Sequence, residues 1–235
     1  MSQPPYDAVI FDFDGTLADT ADQIIQTAKQ VLSQHGLAKS EYRRLKELIG
    51  PPFPQAFSLV FGYSAEEAAQ ITKEYRAIYG NLGVEAWPLF EGIADLLRAL
   101  WKRGVLLGVA SSKRDGLLHC ALKENKVDEL FSCVRGKMND CEEAKALTLS
   151  YVMKDLQKKL PASASASASA SASAPAPARM VMVGDRFYDI DAARSCGIES
   201  IGVYYGKTAH AREHEDAGAT HIVQTVAELR GLLLP

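Results

Sequence analysis

The chain has no apolar run approaching the roughly 20 residues that a membrane-spanning helix needs, which argues against an integral membrane protein. Its opening, Met1-Ser2-Gln3-Pro4-Pro5, has neither the basic start nor the apolar stretch of a secretory signal. Lys and Arg form no block, and 26 basic against 29 acidic side chains leave a net charge of −3. That balance gives no electrostatic reason to expect nucleic acid or an anionic membrane as partner. Cysteine is scarce: Cys120, Cys133, Cys141 and Cys196, with no CxxC pair. A chain of 235 residues that is 47% hydrophobic can build a core without disulfide staples. The four therefore read as free thiols, mostly buried small hydrophobes, in a reducing cytoplasm.

What the sequence does have is a set of short apolar runs. Tyr6 to Phe11, Val105 to Ala110 and Arg179 to Val183 are nearly continuous and do not alternate, as expected of strands covered on both faces of a parallel sheet. Ser200 to Tyr204 and Thr220 to Val223 are weaker candidates. Helical periodicity lies between them, at Asp19 to His35, Gly92 to Arg103, Asp115 to Lys123, Cys141 to Lys158, Asp189 to Cys196 and Thr225 to Leu233. Strands alternating with helices predict an α/β fold: a Rossmann-like open parallel sheet with helices on both faces.

Two intervals break the alternation. Residues 19–88 show helical patterns only, with Glu41 to Ile49, Phe53 to Phe61 and Ala65 to Tyr79 separated by Gly-Pro-Pro and Gly-Tyr-Ser turns. Some seventy residues is too long for a crossover, so a small helical domain (19–88) is expected within a discontinuous α/β core (1–18 and 89–235). Pro161 to Ala178 alternates Ala and Ser and ends in Pro-Ala pairs. Such a composition cannot build a core and predicts a flexible loop, at the sheet edge opposite the binding crevice and neutral in catalysis.

The apolar runs end in polar groups. Asp12-Phe13-Asp14-Gly15-Thr16 follows the first, Ser111-Ser112-Lys113 the second, and Gly184-Asp185 the third, with Asp189 four residues on. Parallel strands deliver these groups to one sheet edge, where open α/β sheets form their crevice. Asp12, Asp14 and Asp185 would repel one another there unless a divalent cation joined them, and hard oxygen ligands favour Mg2+. A carboxylate can attack phosphorus. A second, two residues along an extended backbone, points the same way and can protonate the leaving alcohol. Gly15 allows a sharp turn whose amides reach phosphate oxygens, Ser111 can donate to a non-bridging oxygen, and a lysine is needed to offset the charge.

Asp12-Phe13-Asp14-Gly15-Thr16-Leu17, Ser111 after its strand and Gly184-Asp185-Arg186-Phe187-Tyr188-Asp189 resemble the motifs of the haloacid dehalogenase superfamily, in its phosphoglycolate phosphatase-like branch. The likeness extends to Ile49-Gly50-Pro51-Pro52, to Leu89-Phe90-Glu91-Gly92-Ile93 and to Ile198 to Tyr205. It implies Asp12 as nucleophile and metal ligand, and Asp14 as acid/base that also lends its backbone carbonyl to the metal. Ser111 would hold the phosphoryl group, Asp185 would ligate magnesium, and Asp189 would support it. The helical insert would be a mobile cap. Lys145 stands where the family places its lysine, without the usual Pro or Asp after it; Lys137 is the alternative. Gly15, Ser112 and Arg76 are candidate substrate contacts, Arg76 reaching a substrate carboxylate from the cap.

Plainer roles exist for several of these residues. Asp12 and Asp14 could be turn residues, Ser111 and Ser112 caps of the following helix, Asp189 an N-cap and Arg76 a solvated helix residue. Arg43, Arg44 and His35 read as surface residues, and Trp87 and Trp101 as core. The expected activity is hydrolysis of a small phosphorylated metabolite such as 2-phosphoglycolate, by a monomer or homodimer. A β-phosphoglucomutase-type mutase, a nucleotide or pyrophosphate hydrolase and a non-catalytic binding module are the alternatives.

Overall fold

The computed structural model describes residues 3–138, 144–160, 178–206 and 208–235. Six parallel strands form one sheet in the order β3-β2-β1-β4-β5-β6. They are β1 (Ala8–Phe11), β2 (Leu106–Arg114), β3 (Cys133–Lys137), β4 (Met180–Gly184), β5 (Glu199–Val203) and β6 (His221–Val223). The helices are α1 (Ala21–Gln34), α2 (Gln55–Phe61), α3 (Ala65–Tyr79), α4 (Ile93–Lys102), α5 (Asp115–Glu124), α6 (Lys145–Gln157), α7 (Phe187–Cys196), α8 (Glu213–Ala217) and α9 (Val226–Leu233).

Successive strand residues point to opposite faces, so each central strand feeds two cores. In β1, Ala8 and Ile10 pack with Leu149 and Val152 of α6 and with Ala192 and Ala193 of α7. Val9 and Phe11 face the other way, with Leu97 of α4, Leu118 of α5 and Leu229 of α9. Coverage on both sides explains why the central strands read as unbroken apolar runs. β3 escaped that reading. It is the edge strand, it carries Arg135 and Lys137, and its first three residues are only half-buried. The five-residue α8 is too short for a periodic signal.

Between β1 and β2 the regular structure from Ala21 to Tyr79 is helical, its helices joined by short loops at 35–38, 49–54 and 62–64. A capping box opens α3, Ser64 Oγ accepting from the Glu67 amide at 3.2 Å and Glu67 Oε2 from the Ser64 amide at 2.8 Å. The expected α-helix over Glu41 to Ile49 is instead a 3-10 helix, Lys39–Leu48. Its buried residues, Leu45 and Leu48, are three apart, the spacing that stacks side chains on a 3-10 helix. Ile24, Val31, Phe57, Ile71 and Tyr75 build an apolar interior that runs without a break into the sheet's own core through Tyr79 and Trp87.

Trp87 is fully buried, as expected, with Nε1 donating to Glu124 Oε2 at 2.9 Å. Trp101 is not core: it lies at the rim of the α4 stripe and is 55% exposed. Arg43 is exposed, while Arg44 and His35 pair with Glu41 and Glu74. Cys120, Cys133 and Cys196 are free thiols, exposed in the first case and half-buried in the others; Cys141 lies outside the described residues. Residues 161–177 also lie outside them. Their described neighbours Leu160 and Ala178 pack beneath α6 and α7, and Arg179 meets Asp7 just ahead of β1, at the strands' amino-terminal end.

Candidate active site

β1 lies at the centre of the sheet, where neighbouring connections leave in opposite directions and a crevice opens at the strands' carboxyl ends. Asp12 is the first residue beyond β1, and its amide donates to Val183 O of β4 at 2.9 Å. Asp185 follows β4 directly, and Asp189 lies one turn into α7. Asp12, Asp185 and Asp189 each offer an oxygen within 4.8 Å of the others, and all three are buried.

Such crowding has electrostatic consequences. Burial pushes the Asp185 carboxyl well above the usual carboxylate range, with the charges of Asp12 and Asp189 adding to it. Burial also raises Asp189, to about 6, against the opposing pull of Lys145. Oxygen donors alone, buried and mutually repelling, suit a hard divalent cation. Asp185 is further held by the hydroxyls of Thr16, at 3.3 Å, and Thr208.

Lys145, the first residue of α6, supplies the positive charge. Its Nζ lies 2.8 Å from Asp12 Oδ1 and 2.6 Å from Asp189 Oδ1. Burial opposes the ammonium, but the two carboxylates outweigh it and raise the Lys145 pKa. Lys137, the alternative, sends its Nζ to Gln55 Oε1 of α2, 3.2 Å away. The geometry thus brings Lys145 to Asp12.

Asp14 stands apart from the carboxylate cluster. Its Oδ1 pairs with Lys113 Nζ at 2.9 Å. Lys113 was passed over in the sequence, although it stands two places after Ser111. Its ammonium sits 4.8 Å from the Tyr79 ring centre, 5.4 Å from Phe13 and 5.6 Å from Trp87. Three aromatic faces and a carboxylate compensate a cation removed from water. Despite burial its pKa is raised, chiefly by Asp14. The apolar run before it was the available signal, since β2 continues to Arg114.

Ser111 and Ser112 therefore belong to β2 and cap nothing; Arg114 precedes α5. Ser111 is buried, and its Oγ accepts the Lys113 amide at 3.3 Å. Asp189 is not the N-cap of α7, a place taken by Arg186; it is the third residue of the helix, its Oδ2 accepting the Arg186 amide at 3.2 Å and its Oδ1 pairing with Lys145. Gly15 has φ +77°, and a Cβ there would lie 2.2 Å from Asp185 Oδ2. Only glycine lets the Asp12–Thr16 turn approach the Asp185 carboxylate at the end of β4 so closely.

A cavity of about 100 Å³ opens over these groups. The sheet contributes Asp12, Asp14, Ser111, Ser112, Lys113 and Asp185; the helical segment contributes Ile49, Gly50, Pro52, Phe53, Tyr75 and Arg76. Arg76, half-buried on α3, is among the residues that line the cavity.

A family model for haloacid dehalogenase-like hydrolases matches residues 9–203. Tyrosine-protein kinase PtkA of Mycobacterium tuberculosis is 32% identical over 96% of this chain and 72% of its own length. The solved structure of that protein superposes with a TM-score of 0.76 at 28% identity, covering 100% of both chains. A 5'-nucleotidase of Pseudomonas aeruginosa is 29% identical over 97% of this chain and 96% of its own. A phosphoglycolate phosphatase of Agrobacterium fabrum is 27% identical over 88% and 84%, respectively. With the family model covering Asp12 through Asp189 and most of the chain, the chain belongs to the haloacid dehalogenase-like hydrolases.

Proposed function

We propose that this hydrolase is a magnesium-dependent phosphatase that cleaves a small phosphate monoester through an aspartyl-phosphate on Asp12. One observation carries the reading: two carboxylates from one turn are kept in separate charge environments. Asp12 pairs with Lys145 beside Asp185 and Asp189, while Asp14 pairs with Lys113. Separate environments are what distinct nucleophile and acid/base roles require.

In this mechanism an Asp12 oxygen attacks phosphorus, and the ester oxygen leaves with a proton from Asp14. Water then attacks the same phosphorus as Asp14 takes its proton, and phosphate departs from Asp12. Lys145 offsets the charge of the nucleophile, and the Ser111 hydroxyl and the Gly15 turn hold non-bridging oxygens. Asp12, Asp185 and Asp189, with the Asp14 carbonyl, would hold the divalent cation, whose charge favours the transition state when bound. Residues 19–88 act as a cap over the core formed by 1–18 and 89–235, with Arg76 and Ser112 meeting the leaving group.

The substrate proposed has a short leaving group, of which 2-phosphoglycolate is an example, its carboxylate meeting Arg76 at the cavity wall. No helix of the described residues is long and apolar enough to cross a membrane. The natural setting proposed is cytoplasmic, as monomer or homodimer. The test is phosphate release from a generic aryl phosphate by chelator-treated protein, with and without added magnesium. Release confined to the magnesium arm supports the reading; none in either arm, or equal release in both, refutes it. A panel of phosphorylated metabolites then ranks substrates.

A further inference from the structure

Arg186 follows Asp185, yet its side chain does not enter the carboxylate cluster. It is buried, and its donors run in two directions. Nε donates to Glu213 Oε1 at 2.8 Å, and Nη1 donates to the Ile49 carbonyl in the loop that roofs the cavity. Glu213 is itself fastened, Oε1 accepting the Phe187 amide at 2.8 Å and Oε2 the His210 amide at 2.9 Å. The roof loop is shaped for this contact. Gly50 has φ +109°, and a Cβ there would lie 2.5 Å from Arg186 Nη1.

We propose that Arg186 is a positioning residue that latches the Ile49–Phe53 loop over Asp12, with Glu213 setting the guanidinium's direction. The inference rests on the phosphatase reading for its kinetic consequence, but not for the latch itself. A buried ion pair seldom adds net stability over apolar packing, so its value here lies in geometry. The guanidinium is a rigid plane whose Nε and Nη1 engage an acid on one side and a carbonyl on another; a lysine ammonium on a flexible stem cannot reproduce that. Arg186 also carries the amide that donates to Asp189 Oδ2 at 3.2 Å. Roof and carboxylate cluster thus meet in one residue, so the roof is held by the same turn that aligns the cluster.

The experiment compares wild type with Arg186→Met, Arg186→Lys and the near-isosteric Glu213→Gln. Amide hydrogen exchange of the substrate-free protein follows Gly50 and Phe53 in the roof and Val9 and Val181 in the central strands. Steady-state kinetics use an aryl phosphate with magnesium. Losing a charge-assisted contact predicts roof exchange and KM each about tenfold higher in Arg186→Met, with kcat changed about threefold or less and strand exchange unaltered. Arg186→Lys should fail to rescue, and Glu213→Gln should fall between. Unchanged roof exchange in Arg186→Met, an equal rise in strands and roof, or a wild-type KM in Arg186→Lys would overturn the latch. Absence of hydrolysis by wild type would instead sink the phosphatase reading, with the exchange arm still deciding the latch.

Discussion

The sheet edge and the helical segment above it meet at one cavity but are made of different material. The edge is built of buried charge: Asp12, Asp185, Asp189 and Lys145 in one group, Asp14 and Lys113 in another. The segment from Ala21 to Tyr79 offers a backbone carbonyl at Ile49, two prolines, the aromatics Phe53 and Tyr75, and one cation, Arg76. Its aromatics also support one another, with the Phe53 and Tyr75 rings 4.9 Å apart and Tyr75 stacked on Tyr79 at 5.1 Å. Charge that must act on phosphorus needs fixed positions, and strand ends provide them. A surface that admits or rejects a leaving group needs shape, which packed rings and a roof loop provide. If that division holds, edge variants should act on kcat and roof variants on KM.

The largest effect is expected at Asp12, the proposed nucleophile. Asp12→Asn should lower kcat by about 10⁴-fold or more while leaving the fold intact, as read by phosphate release and thermal melting. Retained activity would place the nucleophile elsewhere. Lys145→Met is expected to lower kcat by about 10²-fold and, by leaving buried carboxylates unpaired, to cost about 3–5 kcal/mol without magnesium. Denaturant unfolding with and without magnesium checks this, since the cation should restore part of the loss. An unchanged midpoint would mean that the lysine does not balance the cluster. On the roof side, Arg76→Ala should raise KM by about tenfold for a substrate with a carboxylate on its leaving group, and by about twofold or less for an uncharged one. Equal changes would break the division between chemistry and selection.

The smallest effect lies away from the cavity. His214 is buried, one ring nitrogen lying 3.1 Å from Val203 O, and burial holds its pKa below the model-peptide value of 6.5. The unfolded chain then binds the proton more readily than the folded one. The stabilising contribution is complete above pH 6.5 and fades as pH falls toward the folded-state pKa. Thermal midpoints between about pH 7 and about pH 5 should drop less in His214→Gln than in wild type. Parallel curves would remove His214 from the account.

How far the sequence could be read follows the same division. Asp12, Asp14 and Asp185 stand where an apolar run stops, and burial of the central strands on both faces made those runs visible. Lys145 could be placed only by its likeness to a family position; its contact with Asp12 spans too much chain for any periodic pattern to reveal. Lys113 is hard to read because β2 carries four polar residues, Ser111 to Arg114, beyond its apolar part, so the strand's true end is hidden. Arg186 stood within a quoted motif, yet its partners Glu213 and Ile49 lie 27 and 137 residues away. β3 was lost because an edge strand need not be apolar. The helices α1, α2 and α3 were legible from their spacing, whereas their meeting with the cavity depends on side-chain directions that spacing does not encode.

The strand order has a consequence for the history of each molecule. β1 precedes both of its sheet neighbours in the chain and must wait for them, and Thr16 reaches Asp185 across 169 residues. Closing so long a loop is slow, and until β4 arrives the Asp12 turn has only part of its framework. A chain that has not yet added β4 therefore holds Asp12 without the carboxylates that flank it in the fold. The carboxylate cluster is completed only when the Asp185 turn docks beside the Asp12 turn.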